Sequence, residues 1–231
     1  TTLTAETVLT LEATTGSIVP AGALSLTGGS GIVVLNDMKS TATGSSAMVI
    51  NSDQESTGDG TLTLSAGRTI MSNDSSIVIT AWDMDIAGFI TAATKPMTIH
   101  AAQVGQTIGL GSTPKHLWVS DAELGRTTAA GGLTVGNTLN GSITVDGLTD
   151  GSTDELGRVV LRATGATQLV AFASSSSAFN KGITLQSAGG VVLSASVTTK
   201  NLSTIVNPGT GTLTIVAAIT LSSTDQFLSI T

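Results

Sequence analysis

The feature that most constrains the fold of this chain is a set of short apolar segments with alternating spacing. Successive segments start at Leu117, Leu133, Ile143, Val159 and Leu169, so that a longer and a shorter interval alternate. The chain therefore returns to an equivalent position about every 26 residues. Each segment is too short to bury a core alone and must be stabilised by stacking on neighbouring turns. The pattern predicts an all-β fold, a parallel β-helix (β-solenoid) with turns of about 22–26 residues.

The composition favours stacked strands over helices. The 231 residues include 39 Thr and 27 Ser but no Tyr, and only 3% of residues are aromatic. The core must be built from Val, Ile, Leu and Ala, and β-branched side chains pack well on pleated surfaces. We expect one solenoid domain over residues 1–231, an internal fragment of a longer repeat protein. The general preference for right-handed crossovers predicts a right-handed coil.

A β-sandwich is the alternative fold. Several apolar segments lie about 8 to 12 residues apart and are separated by turn-forming residues, a spacing also found in sandwiches. The scarcity of aromatic residues and the repeat of about 26 residues favour the solenoid.

The charge pattern argues against nucleic acid as a partner. The formal net charge is -7 and the nine Lys and Arg residues are not clustered, so no basic surface is expected. No apolar stretch approaches the roughly 18 residues that a membrane-spanning helix needs. The absence of Cys excludes disulfides, thiolate metal sites and a Cys nucleophile.

Many of the short strands have an apolar, hydroxyl, apolar pattern. In such a triplet the middle residue points outward, as for Thr134 between Leu133 and Val135. Turns stacked about 4.8 Å apart would align these hydroxyls into outward ranks. The predicted binding residues in these ranks are Thr63, Thr98, Thr134, Thr144 and Thr184.

Trp118 occupies the same middle position between Leu117 and Val119. It is predicted to stand outward with Thr144 as a neighbour, where its indole would stack on a sugar or on a neighbouring subunit. The alternative is a tryptophan covered by a loop, since Trp is usually largely buried.

Acidic residues gather in two Gly-rich, Ser-rich and Thr-rich stretches. One holds Asp53, Glu55 and Asp59, and the other holds Asp146, Asp150, Asp154 and Glu155. Oxygen ligands on loops can hold Ca²⁺, which makes Asp146, Asp150 and Asp154 the candidate ligands. Neither stretch has the EF-hand spacing or the glycine-rich nonapeptide repeat. The alternative is a set of solvated turn residues with no cofactor.

Asp83 and Asp85 flank Met84 and therefore share the outward side of a strand. Paired carboxylates can act as acid and base in glycoside cleavage. Outward Asp residues also prevent edge-to-edge pairing of strands, which is the role that we expect here. The two histidines, His100 and His116, are expected on the surface because no nucleophile motif accompanies them. We therefore expect that the chain is not an enzyme.

Three Asn-X-Ser sequons begin at Asn73, Asn140 and Asn201. They matter only in a eukaryotic secretory pathway. Such sequons also arise by chance in a chain so rich in Ser and Thr.

One region, residues 105–148, resembles repeats in giant secreted bacterial adhesins of the filamentous-haemagglutinin type. The matching features are Thr107-Ile108-Gly109-Leu110-Gly111, Glu123-Leu124, Gly132-Leu133-Thr134-Val135-Gly136 and Gly141-Ser142-Ile143-Thr144-Val145. The resemblance implies a right-handed parallel β-helix that acts as an adhesin or a surface fibre. The rest of the chain resembles these repeats only in its general pattern of short apolar segments separated by turn residues.

These patterns together predict a structural or adhesive segment of a large extracellular surface or fibre-forming protein, with a Thr/Ser-rich lateral face. Its partners would be neighbouring copies, other surface proteins or carbohydrate. The alternative is an ice-binding or polysaccharide-binding solenoid, since flat arrays of outward Thr can match an ordered lattice. A polysaccharide lyase or hydrolase is a third interpretation that rests on the scaffold and on the Asp83 and Asp85 pair.

Overall fold

A computed structural model describes residues 1–20, 22–41 and 46–231 and confirms the β-solenoid. All strand pairings in this described part of the chain are parallel, and strands of successive turns stack along three faces. A β-sandwich is excluded because it requires antiparallel sheets. The handedness of the coil stays a prediction.

The first face is one continuous sheet of ten strands, here called the long sheet. In stacking order its strands are Thr2–Ala5, Ser25–Gly28, Met48–Asn51, Ile77–Ala81, Met97–Ala101, Leu133–Val135, Val159–Ala163, Ile183–Ser187, Thr204–Asn207 and Leu228–Ile230. The stacking order is also the sequence order. Each turn of the coil therefore contributes one strand, and ten strands define nine turns.

The second face consists of two separate sheets. The first has the strands Val8–Leu11, Gly31–Val34, Thr61–Leu64 and Asp83–Ile86. The other has, in stacking order, Leu117–Val119, Ile108–Gly111, Ile143–Asp146, Leu169–Phe172, Gly190–Leu193 and Thr212–Ile215. The strands Asp83–Ile86 and Leu117–Val119 lie against each other at the break between the two sheets but share no pairing.

The third face is also divided into two sheets. One has the strands Met38–Lys39, Thr69–Met71, Phe89–Thr91 and Thr127–Thr128, and the other has Ser177–Phe179, Val197–Thr199 and Leu221–Ser223. The α-helix Asp121–Leu124 lies between strands of the second and third faces, and the 3-10 helix Asp150–Thr153 lies between a strand of the second face and the next strand of the long sheet.

The core is a set of inward ladders in which apolar residues of successive turns stack in register. The central ladder of the long sheet contains Leu26, Ile50, Ile79, Ile99, Val135, Leu161, Leu185 and Val206, all at most 1% exposed. Burying each such side chain contributes about 1.5–3 kcal/mol relative to exposure. Because neighbouring turns share this ladder, no single turn is an independent folding unit.

The turns are less regular than the sequence predicts. Ile77 pairs with Met97 on the next turn, and Met97 pairs with Leu133 on the turn after that, so the second of these turns is far longer than the first. The other turns lie between these two extremes. The sequence-based range of about 22–26 residues per turn is therefore too narrow. The longest turn is enlarged because it holds two strands of the second face and the α-helix.

The apolar pattern does not determine the orientation of two strands. In the strand Leu169–Phe172 the inward residues are Val170 and Phe172, so Leu169 faces outward. In the strand Gly31–Val34, Val34 is fully buried and the half-buried Val33 faces outward. Both strands carry apolar residues on both sides, so alternation does not distinguish the two orientations.

Candidate functional site

The outer side of the long sheet carries a rank of side chains that runs the whole length of the coil. Its members pair in register from turn to turn. They are Thr2, Ser25, Val49, Val78, Thr98, Thr134, Val160, Thr184, Ile205 and Ser229. Hydroxyl-bearing and aliphatic residues are mixed, and eight of the ten are β-branched, which makes a flat and conformationally restricted surface.

The long sheet also carries no carboxylate. The chain has 16 Asp and Glu residues, yet none lies in any of its ten strands. Arg162 is the one Lys or Arg in these strands, and it is exposed. Three acidic residues, Asp83, Asp85 and Asp146, lie in strands of the second face, and the other 13 lie in the two short helices and in the connecting loops.

The structure places the five predicted threonines on two faces rather than one. Thr98, Thr134 and Thr184 stand in the outer rank of the long sheet, where Val160 separates the last two. Thr184 is 9% exposed and receives a hydrogen bond from Nη1 of Arg158 at 3.4 Å. Thr63 and Thr144 lie in the two different sheets of the second face. The five residues do not form one site.

At the break in the second face, side chains replace the missing backbone pairing. The N–H of Trp118 donates to Oδ1 of Asp83 at 2.9 Å, and the N–H of Ile86 donates to Oε1 of Glu123 at 2.8 Å. Nε of Arg126 donates to the carbonyl of Ile86 at 2.9 Å. These groups satisfy the polar edges of the two strands, which would otherwise be left without partners.

The break arises from an extra strand in the longest turn. Ile108–Gly111 and Leu117–Val119 are parallel neighbours joined by only five residues, although parallel strands usually need a connection of about a dozen residues. The chain folds back tightly over Gly109, where a Cβ atom would lie 1.9 Å from the carbonyl oxygen of Thr113. Glycine is therefore required at this position.

The short α-helix Asp121–Leu124 fixes the acidic side of the break. Its N-cap residue, Ser120, accepts a hydrogen bond from the N–H of Glu123, and Oε2 of Glu123 accepts hydrogen bonds from the N–H and hydroxyl of Ser120 at 2.8 and 2.7 Å. This reciprocal capping box starts the helix. It also holds the Glu123 carboxylate, which is 8% exposed, against Ile86.

The carboxyl group of Asp83 has a raised pKa. Burial raises its pKa, and the negative charges of Glu123 and Asp85 raise it further. Hydrogen bonds from the backbone of Trp118 and of Met84 act in the opposite direction but do not reverse the shift. Asp83 therefore keeps its proton to a higher pH than an exposed aspartate does.

An open cleft of about 380 Å³ lies at this break, and we call it the interstrand cleft. It is lined by Asp83, Met84, Asp85, Trp118, Ser120, Glu123 and Arg126. Asp85 is exposed, and its carboxylate makes no hydrogen bond within the described part of the chain. The predicted pair of Asp83 and Asp85 thus divides into one half-buried bridging residue and one solvent-facing residue.

Trp118 does not have the neighbours that its spacing predicts. It pairs with Gly109, and Thr144 lies on the far side of Gly109. The indole is half-buried, and its Nε1 donates to the carbonyl of Gly111 at 2.7 Å. Leu117 and Ile143 therefore do not stack directly on each other, because the strand Ile108–Gly111 lies between them.

Other ring-bearing side chains lie close to the same region. The indole of Trp82 stacks on the imidazole of His116 with ring centroids 4.7 Å apart. Phe89 lies on the third face, away from this pair, and is 52% exposed. By contrast, Phe172 and Phe179 are buried in the core as an edge-to-face pair. Both Trp residues of the chain therefore lie beside the interstrand cleft or line it.

A second open cleft, of about 590 Å³, lies beside the first turns of the coil. It is lined by Thr4, Ala5, Glu6, Thr7, Gly29, Gln54 and Glu55. This lining contains no aromatic residue and no cation, so it offers no stacking surface.

Each of the predicted Ca²⁺ ligands has its own protein partner. Asp146 accepts the N–H of Ser175 at 2.7 Å, Asp150 pairs with Nζ of Lys200 at 2.8 Å, and Asp154 accepts a hydrogen bond from the side-chain amide of Asn180. Across residues 1–20, 22–41 and 46–231, no group of three or more His, Asp or Glu residues is arranged to hold a metal ion.

In the other acidic stretch, a buried aspartate accepts hydrogen bonds from the backbone of the loop that follows it. Asp53 is 1% exposed and accepts hydrogen bonds from the N–H groups of Thr57 and Gly58, both at 3.1 Å. Asp59 accepts the hydroxyl of Thr57 at 2.9 Å. These carboxylates therefore support a local turn.

The asparagines of the three sequons and the two histidines lie in different environments. Asn140 is 1% exposed and donates to the carbonyl of Gly141, so the folded chain hides this sequon. Asn201 is exposed, and Asn73 is half-buried. His116 is exposed, whereas His100 is half-buried and lies 3.2 Å from the hydroxyl of Thr80.

Comparison with protein-family models, with curated proteins and with solved structures gives no match. The resemblance to filamentous-haemagglutinin-type repeats therefore stays a prediction. No helix in the described residues is long and apolar enough to cross a membrane.

Proposed function

We propose that this chain is a non-enzymatic structural and adhesive segment of a large extracellular surface or fibre-forming protein. In this role the coil acts as a stiff spacer, and its long sheet acts as a lateral contact face. The observation that carries the proposal is the combination, on one face, of ten strands in unbroken register and no carboxylate.

The stiffness follows from the pairing of the turns. Ten strands about 4.8 Å apart give a rod on the order of 45 Å long. Every internal strand of the long sheet is paired on both sides, so bending the rod requires breaking parallel hydrogen bonds and opening the inward ladders. A coil of this kind holds whatever is attached to its ends at a set separation.

The lateral contact is supported by the chemistry of the outer rank. Its β-branched side chains have few rotamers to lose on contact, and the absence of carboxylates removes the repulsion expected between two chains of charge -7. The partners that we propose are neighbouring copies or other surface proteins.

Charge placed on the outer rank tests this proposal. In the Thr134→Lys variant a long cation interrupts the contact face, and we expect concentration-dependent association, measured by light scattering and electron microscopy, to be lost. Thr63→Lys is the matched control, since Thr63 is also an outward threonine in mid-strand but lies on the second face. Equal behaviour of the two variants, or a wild-type chain that stays monomeric at millimolar concentration, would refute lateral association.

Binding to an ordered lattice such as ice or a crystalline polysaccharide is a second candidate function. It is favoured by one observation, the in-register outer rank of hydroxyl-bearing and aliphatic side chains. Thermal hysteresis and a pull-down on crystalline polysaccharide test it. Absence of both activities would remove this candidate without affecting the spacer role.

A further inference from the structure

Among the described residues, the interstrand cleft is the one place on the second face where adjacent strands are not held together by backbone hydrogen bonds. Elsewhere on this face each strand is paired to the next, and the outer surface is continuous. The Asp83 carboxylate bridges the strands Asp83–Ile86 and Leu117–Val119, and an open space of about 380 Å³ remains. Glu123 and Arg126, which follow the second strand, bond the backbone of Ile86. The stacking of successive turns does not by itself account for this open space.

Trp118 provides the apolar surface of this cleft. Its one polar atom, Nε1, already donates to the carbonyl of Gly111. The half-buried ring therefore has only its apolar surface left to offer, and that surface suits stacking by a flat, weakly polar ring. Gly109 and Gly111, on the neighbouring strand, leave room for the indole to lie close to the backbone.

The polar groups around this ring are an acceptor and a donor. The Asp85 carboxylate is exposed and accepts no hydrogen bond from the described part of the chain. Arg126 uses Nε and Nη2 on the carbonyl of Ile86, which leaves Nη1 to donate to a ligand. A hydroxyl group both donates and accepts, so it can satisfy a carboxylate and a guanidinium at the same time.

The charges of the cleft narrow the ligand further. Three carboxyl groups and one guanidinium line it, so an acidic ligand would be repelled. Asp83 and Glu123 already accept backbone N–H groups, so Asp85 and Arg126 are the charged groups left to face a ligand, and their opposite charges favour a neutral one. An uncharged polyol with an apolar ring face satisfies both conditions.

We propose that the interstrand cleft binds a neutral carbohydrate chain, with one sugar ring stacked on Trp118 and its hydroxyls held by Asp85 and Arg126. This binding site is independent of the lateral face, which lies on the long sheet. It would make the rod a carbohydrate-binding scaffold without any catalytic step.

Titration with defined oligosaccharides tests the proposal. The probes are cellohexaose, xylohexaose and maltohexaose, with trigalacturonate and trilysine as charged controls, followed by calorimetry and by tryptophan fluorescence. We expect saturable binding of at least one neutral hexasaccharide and no binding of either charged trimer. Asp85→Ala should weaken the binding about tenfold, a loss typical of one charged hydrogen bond. Trp118→Ala should abolish the binding.

The variants carry their own controls. Asp85 is exposed and has no partner to lose, so Asp85→Ala should fold as the wild type does even if Trp118→Ala does not. Asp225→Ala removes an exposed carboxylate far from the cleft and should leave the affinity unchanged. The proposal is overturned if no neutral hexasaccharide binds at millimolar concentration, if a charged trimer binds more tightly, or if Asp85→Ala binds as well as the wild type.

Discussion

The backbone N–H of Trp118 donates to the Asp83 carboxylate across a gap at which two neighbouring strands share no backbone hydrogen bond. At this gap a side-chain carboxylate accepts the hydrogen bond that a backbone carbonyl of the neighbouring strand accepts elsewhere in the coil. The same gap is bridged a second time by Glu123 and Ile86. The continuity of the second face therefore depends on a few polar side chains, and these can be tested individually.

Two substitutions of Asp83 distinguish the contribution of its hydrogen bond to stability from the contribution of its charge. Asp83→Ala removes the acceptor and leaves the half-buried N–H of Trp118 without a partner, so we expect a loss of about 1–3 kcal/mol in the free energy of unfolding. Asp83→Asn keeps an acceptor oxygen and should be far less harmful. Urea denaturation at neutral pH measures both. Similar losses in the two variants would show that the charge, and not the hydrogen bond, matters.

The raised pKa of Asp83 predicts a specific pH dependence. Well below the ordinary value of 3.8, the carboxyl group is protonated in both the folded and the unfolded chain and contributes nothing. As the pH rises above 3.8, the unfolded chain loses this proton first, so the contribution of Asp83 to the free energy of unfolding falls until the folded pKa is passed. The stability of Asp83→Asn relative to the wild type should therefore rise between pH 3 and neutral pH. A constant difference in urea denaturation across that range would contradict the shift.

Gly109 should not tolerate a side chain. In Gly109→Ala the new Cβ would lie 1.9 Å from the carbonyl oxygen of Thr113, so the tight return between the two parallel strands would have to open. We expect a loss of about 3 kcal/mol, measured as a lower melting temperature or a lower urea midpoint. Gly151→Ala is the control, since its Cβ would have no atom within 4 Å. A Gly109→Ala variant as stable as this control would mean that the return is not tight.

The two sides of one strand should respond differently to truncation. Ile99 is 1% exposed in the central inward ladder, whereas Thr98 stands in the outer rank. We expect Ile99→Ala to lower the free energy of unfolding by about 2–5 kcal/mol through cavity formation, and Thr98→Ala to cost less than about 1 kcal/mol. Chemical denaturation of both variants checks the assigned orientation. A larger loss for Thr98→Ala would reverse the orientation of this strand.

The period of the apolar segments is sufficient to predict the architecture of this chain. Leu133 and Val135 face inward as predicted, and they pair with Val159 and Leu161, one predicted period further along the chain. A triplet with a polar middle residue has only one orientation that buries its apolar side. The strand Leu169–Phe172 is apolar on both sides, so its orientation depends on its neighbours, Ile143–Asp146 and Gly190–Leu193.

The interstrand cleft could not be predicted in the same way. Leu117 and Ile143 are separated by one full period, yet Ile108 is stacked between them. Ile108–Gly111 and Leu117–Val119 are parallel strands joined by only five residues. A connection this short is unusual between parallel strands, so the sequence does not predict it. The partners of Asp83 and Glu123 follow from this insertion, so their bridging roles have no signature in local spacing. The glycines at 109 and 111 are the one local sign of a close approach of two backbones.

The absence of carboxylates from the long sheet makes the rod electrically one-sided. Its second face, its short helices and its loops carry all 16 acidic side chains. Near an anionic boundary, such as a polysaccharide coat or a phospholipid layer, the acidic second face is repelled more strongly than the long sheet. A molecule of this kind acquires a preferred roll angle about its own axis before any specific contact is made.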